Sequence, residues 1–164
     1  MGESVFLQHQ NVYFTVANIL LLNDQNQLLI LRRSEWKKIP GTDYRPDLSR
    51  ATDLPGGMVG DDHVEDPTTG VLRELSEETG VEADFDQLRL AYVETVYREQ
   101  GQRSLARLIY LLKLDYTPVV KLSWEHESFE WRDIREVAGT DYLHSGVCRR
   151  AVDYVIAHPN IFQV

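Results

Sequence analysis

Glu74, Glu77 and Glu78 stand within RELSEE, residues 73–78, at relative positions i, i+3 and i+4. On an α-helix this spacing places all three carboxylates on one face, with Leu75 pointing elsewhere. Such a face has two readings. It is a solvated acidic surface, or it holds a hard divalent cation, which prefers oxygen ligands. Repulsion between exposed carboxylates at this spacing costs only a few tenths of a kcal/mol per pair, roughly, so the spacing alone does not decide. Nitrogen and sulfur chemistry is poorly served by comparison. His9, His63, His126, His144 and His158 are scattered without an HxxxH spacing, which argues against zinc. Cys148 is the only cysteine, so an internal disulfide and a cysteine-based metal site are both excluded.

The helix carrying the carboxylates has explicit punctuation. Asp66 is a capping side chain, Pro67 suits the first helical position, and Gly80 supplies the stop. Val71, Leu72, Leu75 and Thr79 fall at helical spacing and are expected to face a core. Before this helix, residues 13–22 (YFTVANILLL) and 28–33 (LLILRR) read as strands joined through NDQNQ, a β-hairpin. From Ser34 to Asp53 neither period is visible, and Pro40, Gly41 and Pro46 interrupt the stretch, so a long loop is expected. Between Arg32 and Asp53, six basic residues (Arg32, Arg33, Lys37, Lys38, Arg45, Arg50) face four acidic ones, making this segment a candidate anion contact or a mixed solvated surface.

After the helix, residues 88–98 and 103–114 read as two long strands joined by EQGQ, and 128–133 as a shorter one. Residues 146–158 read as a closing amphipathic helix with Val147, Ala151, Tyr154 and Val155 on one face. Mixed strands around two helices predict an α/β or α+β sandwich. Of the aromatic residues, Trp36, Tyr97, Phe129, Trp131 and Tyr142 are candidates to stack on a nucleobase, with packing the favoured role for each.

The 164 residues, 43% of them hydrophobic, suit a single domain over 1–164. The longest nearly apolar run, Val16 to Leu22, falls short of the roughly 20 residues that span a bilayer. MGESVFLQHQ lacks a basic region before an apolar stretch, so no membrane association and a cytoplasmic location are expected. A formal charge of −9 disfavours a nucleic-acid duplex. A small phosphorylated ligand is compatible with it when divalent cations bridge carboxylates and phosphates.

The segment Leu54–Val81, LPGGMVGDDHVEDPTTGVLRELSEETGV, brings these features together. It resembles the box of the Nudix hydrolase (MutT-like) family: Gly, five residues, Glu, seven residues, then Arg-Glu-aliphatic-x-Glu-Glu-x-Gly-aliphatic. From Glu65 onward the match is complete through Arg73, Glu74, Leu75, Glu77, Glu78, Gly80 and Val81. One departure lies upstream, where seven residues rather than five separate Gly57 from Glu65. Two added residues in a loop cost little, so the carboxylate face is expected to survive.

The resemblance implies an α/β/α sandwich with a mixed sheet and a magnesium- or manganese-dependent hydrolase. Its substrate would be a nucleoside diphosphate linked to another group: a nucleoside triphosphate, ADP-ribose, a nucleotide sugar or a dinucleoside polyphosphate. Glu74, Glu77 and Glu78 would be metal ligands, with the Gly56 carbonyl as a further one. Glu65 and Arg73 would form a structural ion pair tying loop to helix. The base that activates water is Glu74 in some members and a later carboxylate in others, for which Glu125 and Glu127 in SWEHESFEW are the candidates here. Arg33 matches a place where similar proteins put a phosphate-contacting arginine. A homodimer is a further expectation of the resemblance, with the oligomeric state left open.

Two other readings are kept. A non-catalytic nucleotide-sensing module of this fold would tend to lose carboxylates, and none is lost. An isopentenyl diphosphate isomerase, which uses a related fold, would need Cys148 as its reactive cysteine.

Overall fold

A computed structural model describes residues 12–35, 48–60, 64–98 and 103–162. Its strands are β1 (Val12–Leu22), β2 (Gln27–Arg33), β3 (Thr52–Asp53), β4 (Gly56–Met58), β5 (Leu88–Arg98), β6 (Arg103–Lys113) and β7 (His126–Asp133). Its helices are α1 (Pro67–Thr79), α2 (Ile134–Val137) and α3 (Gly146–Ala157). The seven strands form one mixed sheet with the path β3-β2-β1-β6-β5, from which β4 branches onto β1 and β7 onto β2.

At the middle of the sheet β1 and β6 pair in parallel, matched residue for residue from Val12↔Arg103 to Leu22↔Lys113. Parallel strands are normally covered on both faces, and so they are here. Alternate residues enter two cores. Ala17, Ile19, Leu21, Leu29 and Leu31 pack with Val71 and Leu75 of α1. Leu20, Leu22, Leu28 and Ile30 pack with Ala151, Val152 and Val155 of α3. The result is an α/β/α sandwich, with the carboxylate-bearing helix on one face and the closing helix on the other.

The expected hairpin forms only at its turn. Asn23 holds that turn, its side-chain oxygen accepting from the Gln25 and Gln27 N–H groups at 3.0 and 2.9 Å. Beyond the single register pair Leu22↔Leu28 the strands diverge. β1 pairs with β4 through Val16↔Met58, Ala17↔Gly57 and Asn18↔Gly56, while β2 pairs with β7 and β3. The Gly56-Gly57 pair with Met58 is therefore the short strand β4. Thr52 and Asp53, expected within the long loop, add a two-residue strand to β2; residues 36–47 of that loop lie outside the described residues, as does the EQGQ turn.

α1 begins and ends as its punctuation requires. Asp66 accepts from the N–H groups of Thr68 and Thr69, and Gly80 adopts the left-handed φ of 67° that closes the helix. Val71, Leu75 and Thr79 are buried, and Leu72 packs partly against the same core. α3 departs from expectation in one respect. Its buried face is Val147, Cys148, Ala151, Val152 and Val155, whereas Tyr154 is 39% exposed. Tyr154 lies over Tyr92 and His158 at the surface, with ring centroids 5.5 and 4.2 Å away. Among the described residues no helix is long and apolar enough to cross a membrane.

Leu75 is fully buried at the centre of the α1 face. Leu75→Ala is expected to destabilise the fold by about 2–5 kcal/mol, the usual range for a leucine truncated in a packed core. Denaturant unfolding monitored by tryptophan fluorescence checks this, with a shifted midpoint and an unchanged slope.

Candidate active site

The rotation of α1 that buries Leu75 also turns Glu78 inward, to 4% exposure. One Glu78 oxygen accepts the Gly56 N–H at 2.8 Å; the other lies 3.8 Å from Nε2 of His126. Glycine is required at this meeting of strand and helix. Gly56 has φ of 134°, and a Cβ there would meet the backbone of Ala17 and the Asn18 Cα at 2.6 Å. At Gly57 a Cβ would lie 2.6 Å from the carboxyl carbon of Glu74. The Gly-Gly pair thus lets β4 seat itself against two carboxylates of one helix.

Arg73 organises the outer part. Its Nε and Nη2 donate to the two oxygens of Glu65 at 3.0 and 3.2 Å, and Nη1 donates to Glu74 at 3.1 Å and Glu77 at 3.0 Å. Nη2 also reaches the Met58 carbonyl at 3.4 Å. The expected Glu65–Arg73 pair is therefore a two-pronged bridge between the helix and the segment preceding it. Its neighbours in the enlarged loop, residues 61–63, lie outside the described residues.

The electrostatics are strained by burial. Desolvation pushes the Glu78 carboxyl up to about 8, against the opposing effect of the Gly56 hydrogen bond and with added repulsion from Glu74 and Glu125. Glu74 is raised for the same first reason, with Arg73 opposing and Glu77 and Glu125 adding to it. His126, buried and near Arg33, is held down to about 4. Burial thus disfavours the charged form of both groups that meet at this 3.8 Å contact.

The later carboxylates separate. Glu125 stands close enough for its charge to act on Glu74 and Glu78. Glu127, the next residue but one, is turned away and lies 3.9 Å from Arg50. Glu125 precedes β7, which begins at His126, so strand alternation governs Glu127 but not Glu125. Arg33 reaches the site: its charge acts on both Glu78 and His126, while its Nη2 lies 3.8 Å from Asp53. Gly56 meets the site through its N–H.

His126 was visible in the sequence only as the neighbour of Glu125; its place beside Glu78 comes from the β2–β7 pairing, Arg33↔His126. Of the stacking candidates, Tyr97 and Phe129 are exposed, Trp131 packs partly against the α1 core, and Tyr142 hydrogen-bonds Glu130 beneath the Arg132 guanidinium. Trp36 lies outside the described residues. Trp124, 72% exposed and adjacent to Glu125, is an aromatic that sequence reasoning passed over.

Among the described residues, no three acidic, histidine or cysteine side chains already converge around a cation position. The reason is visible in Glu77, which is exposed and held by Arg73. The donor set nevertheless suits a hard divalent ion. Its groups are all oxygens, two are driven toward protonation by burial and mutual repulsion, and a cation relieves both effects. Cys148 offers no alternative chemistry. It is fully buried, its thiol is pushed up to about 12 by burial and Asp53, and a thiolate nucleophile is not available there.

Comparison with known proteins agrees with this geometry. The model of the NUDIX domain family matches residues 12–149. The fold resembles a MutT protein from Methanosarcina mazei Go1, with TM-score 0.69 and 24% identity over 92% of this chain and 97% of that one. An Ap4A hydrolase from C. elegans gives TM-score 0.63 and 20% identity over 88% and 96% of the two chains. The NUDIX domain of Shewanella oneidensis NrtR, solved with ADP ribose, gives 0.63 and 14% over 96% and 94%. At these identities the structural likeness speaks for the fold alone. No curated protein matches the chain.

Raising the folded-state pKa of Glu78 above its ordinary value of 4.5 has a defined sign. Stability associated with the proton is fully present below the unfolded-state value and is lost as pH rises toward about 8. In chelator, the wild-type protein is expected to lose stability across this window, and Glu78→Gln, which cannot ionise, to lose less. Denaturant midpoints measured at pH 5 and pH 8 check the difference between the two slopes.

Proposed function

This chain belongs to the Nudix family, and we propose that it is a pyrophosphohydrolase that cleaves the pyrophosphate bond of a nucleoside diphosphate linked to another moiety, using magnesium or manganese. The observation carrying this reading is the complete carboxylate box on a capped helix, with Glu78 buried beneath the Gly56 N–H. Glu74, Glu77 and Glu78 would hold the ion, with the Gly56 carbonyl as a further ligand. When bound, the ion supplies charge neutralisation at the phosphate oxygens and lowers the pKa of a coordinated water.

The remaining tasks fall to the chain's own side chains. Glu125, whose charge reaches Glu74 and Glu78, is assigned as proton acceptor from the attacking water. Glu127 is given a structural task, holding Arg50 and through it the segment entering β3. Arg33, at the edge of the site, is assigned to a phosphate oxygen. Arg73 keeps Glu74 and the Glu65 segment in place, and His126 fills the space behind Glu78 with a neutral ring.

A sensing module without turnover would have no use for this full set of carboxylates. The similar solved structures include an Ap4A hydrolase and a NUDIX domain complexed with ADP ribose, which supports a nucleotide substrate. The far end of that substrate must be read elsewhere on the chain.

The test is release of phosphate or nucleoside monophosphate from a panel of nucleoside triphosphates, ADP-ribose, nucleotide sugars and dinucleoside polyphosphates, with magnesium and with chelator. Metal-dependent turnover is expected, and turnover unaffected by chelator would overturn the reading. Glu77→Gln or Glu78→Gln is expected to reduce kcat by orders of magnitude with the circular dichroism spectrum unchanged. Glu125→Gln is expected to lower kcat by about 10²–10⁴, the usual contribution of a general base, while Glu127→Gln stays within a few fold. Equal losses in these two variants would remove Glu125 from its role.

A further inference from the structure

The segment that carries Glu125 is tied down on two sides before β7 begins. Lys121 and Ser123 donate their N–H groups to the carbonyls of Thr79 and Glu78 at 2.8 and 3.1 Å. Those carbonyls lie in the last turn of α1, where a helix leaves acceptors without donors of its own. The second anchor is Ser34, the residue that follows β2. Its backbone N–H donates to the Glu125 carbonyl at 2.8 Å, and its hydroxyl donates to the Trp124 carbonyl at 2.8 Å.

These two bonds fall on the two peptide groups that flank the Glu125 Cα. The Trp124 carbonyl belongs to the peptide entering Glu125, and the Glu125 carbonyl to the peptide leaving it. Each peptide is a rigid plane, joined to the next through two soft torsions at the Cα. Holding both planes from one residue restrains both torsions and leaves only the side chain of Glu125 free to turn. Packing does not do this work, since Glu125 is exposed and Trp124 is 72% exposed. The register of β2 with β7 shifts between Arg32 and Arg33 and ends at Arg33↔His126, so the ladder stops short of Glu125. Any residue but proline at position 34 supplies the N–H bond; the bond to Trp124 needs a hydroxyl on Cβ, which only serine and threonine carry.

We propose that Ser34 is a positioning residue for proton transfer, its hydroxyl holding the Trp124–Glu125 peptide so that the Glu125 carboxylate faces the α1 carboxylates before substrate arrives. The inference rests on the hydrolase reading above and on Glu125 as its proton acceptor. A general base acts only within hydrogen-bond reach of the water it deprotonates, and a misplacement of about 1 Å costs up to about 10²-fold in rate. Ser34 is assigned no contact with substrate or metal and acts through the backbone of Glu125. Its neighbour Arg33 is assigned to a phosphate oxygen, so a disturbance passed along β2 instead would weaken substrate binding.

Two experiments separate this inference from the parent reading. Amide hydrogen exchange followed by NMR in chelator reads the anchor without turnover. Ser34→Ala is expected to speed exchange by about fivefold or more at residue 34, Glu125 and His126 while the amides of α1 keep their rates, and Ser34→Thr to restore protection. Unchanged exchange in Ser34→Ala would overturn the proposal even in an active enzyme. In turnover with magnesium on the substrate panel above, Ser34→Ala is expected to lower kcat by about tenfold or more with KM within about twofold, and Ser34→Thr to recover most of the loss. In a Glu125→Gln background, Ser34→Ala is expected to cost nothing further, because a residue acting through Glu125 cannot lose the same contribution twice. A full additional loss in that background, or a raised KM with kcat unchanged, would overturn the positioning role. Absence of metal-dependent turnover in the wild-type protein, with exchange accelerated in Ser34→Ala, would fail the parent reading alone and leave the anchor supported.

Discussion

The structure turns on one buried carboxylate. Glu78 lies beneath β4, with the Gly56 N–H on one oxygen and His126 beside the other. A charge-assisted hydrogen bond contributes about 1.5–3 kcal/mol net, whereas taking an ion out of water costs several kcal/mol even after the surroundings relax. One N–H and a neutral imidazole do not close that gap, which is why the Glu78 proton is held to about 8 in the metal-free protein. The glycine pair, the caps of α1 and the packing of Leu75 together bring this carboxylate into the interior beneath β4.

The sheet divides the chemistry between its faces. Carboxylates gather on the α1 side, and a cleft lined by Arg33, Asp53, Arg107 and Arg150 lies on the α3 side. Arg33 joins the two because β2 is irregular at its end. A regular strand would have committed its side chain to one face only.

Legibility in the sequence followed the range of the interactions concerned. The α1 boundaries were readable because Asp66, Pro67 and Gly80 act within one turn of themselves, and the long strands were readable from runs such as Val16–Leu22. The separation of β1 from β2 was not, since β6, β7 and β4 compete for their edges from far along the chain. β3 and β4 are too short to display a period. Tyr154 satisfied the helical spacing but lies at the rim of the packed face, where Val152 and Cys148 take the interior positions. In the site, the three glutamates of α1 and the Glu65–Arg73 pair followed from local spacing. The division between Glu125 and Glu127 depended on where β7 begins, since Glu125 lies before it and Glu127 within it.

Arg73 touches three carboxylates of the site, and it does not hold them equally. Its bond to Glu65 involves a partner side chain only 4% exposed, whereas Glu77 is 58% exposed. Ion pairs with an exposed partner contribute little, about 0–1 kcal/mol, while breaking one with a buried partner is far more costly. Glu77 can therefore leave Arg73 cheaply, and Glu65 cannot. The same guanidinium therefore holds Glu65 firmly and the outer carboxylate loosely, and this clamp together with the glycine pair sets where α1 meets β4.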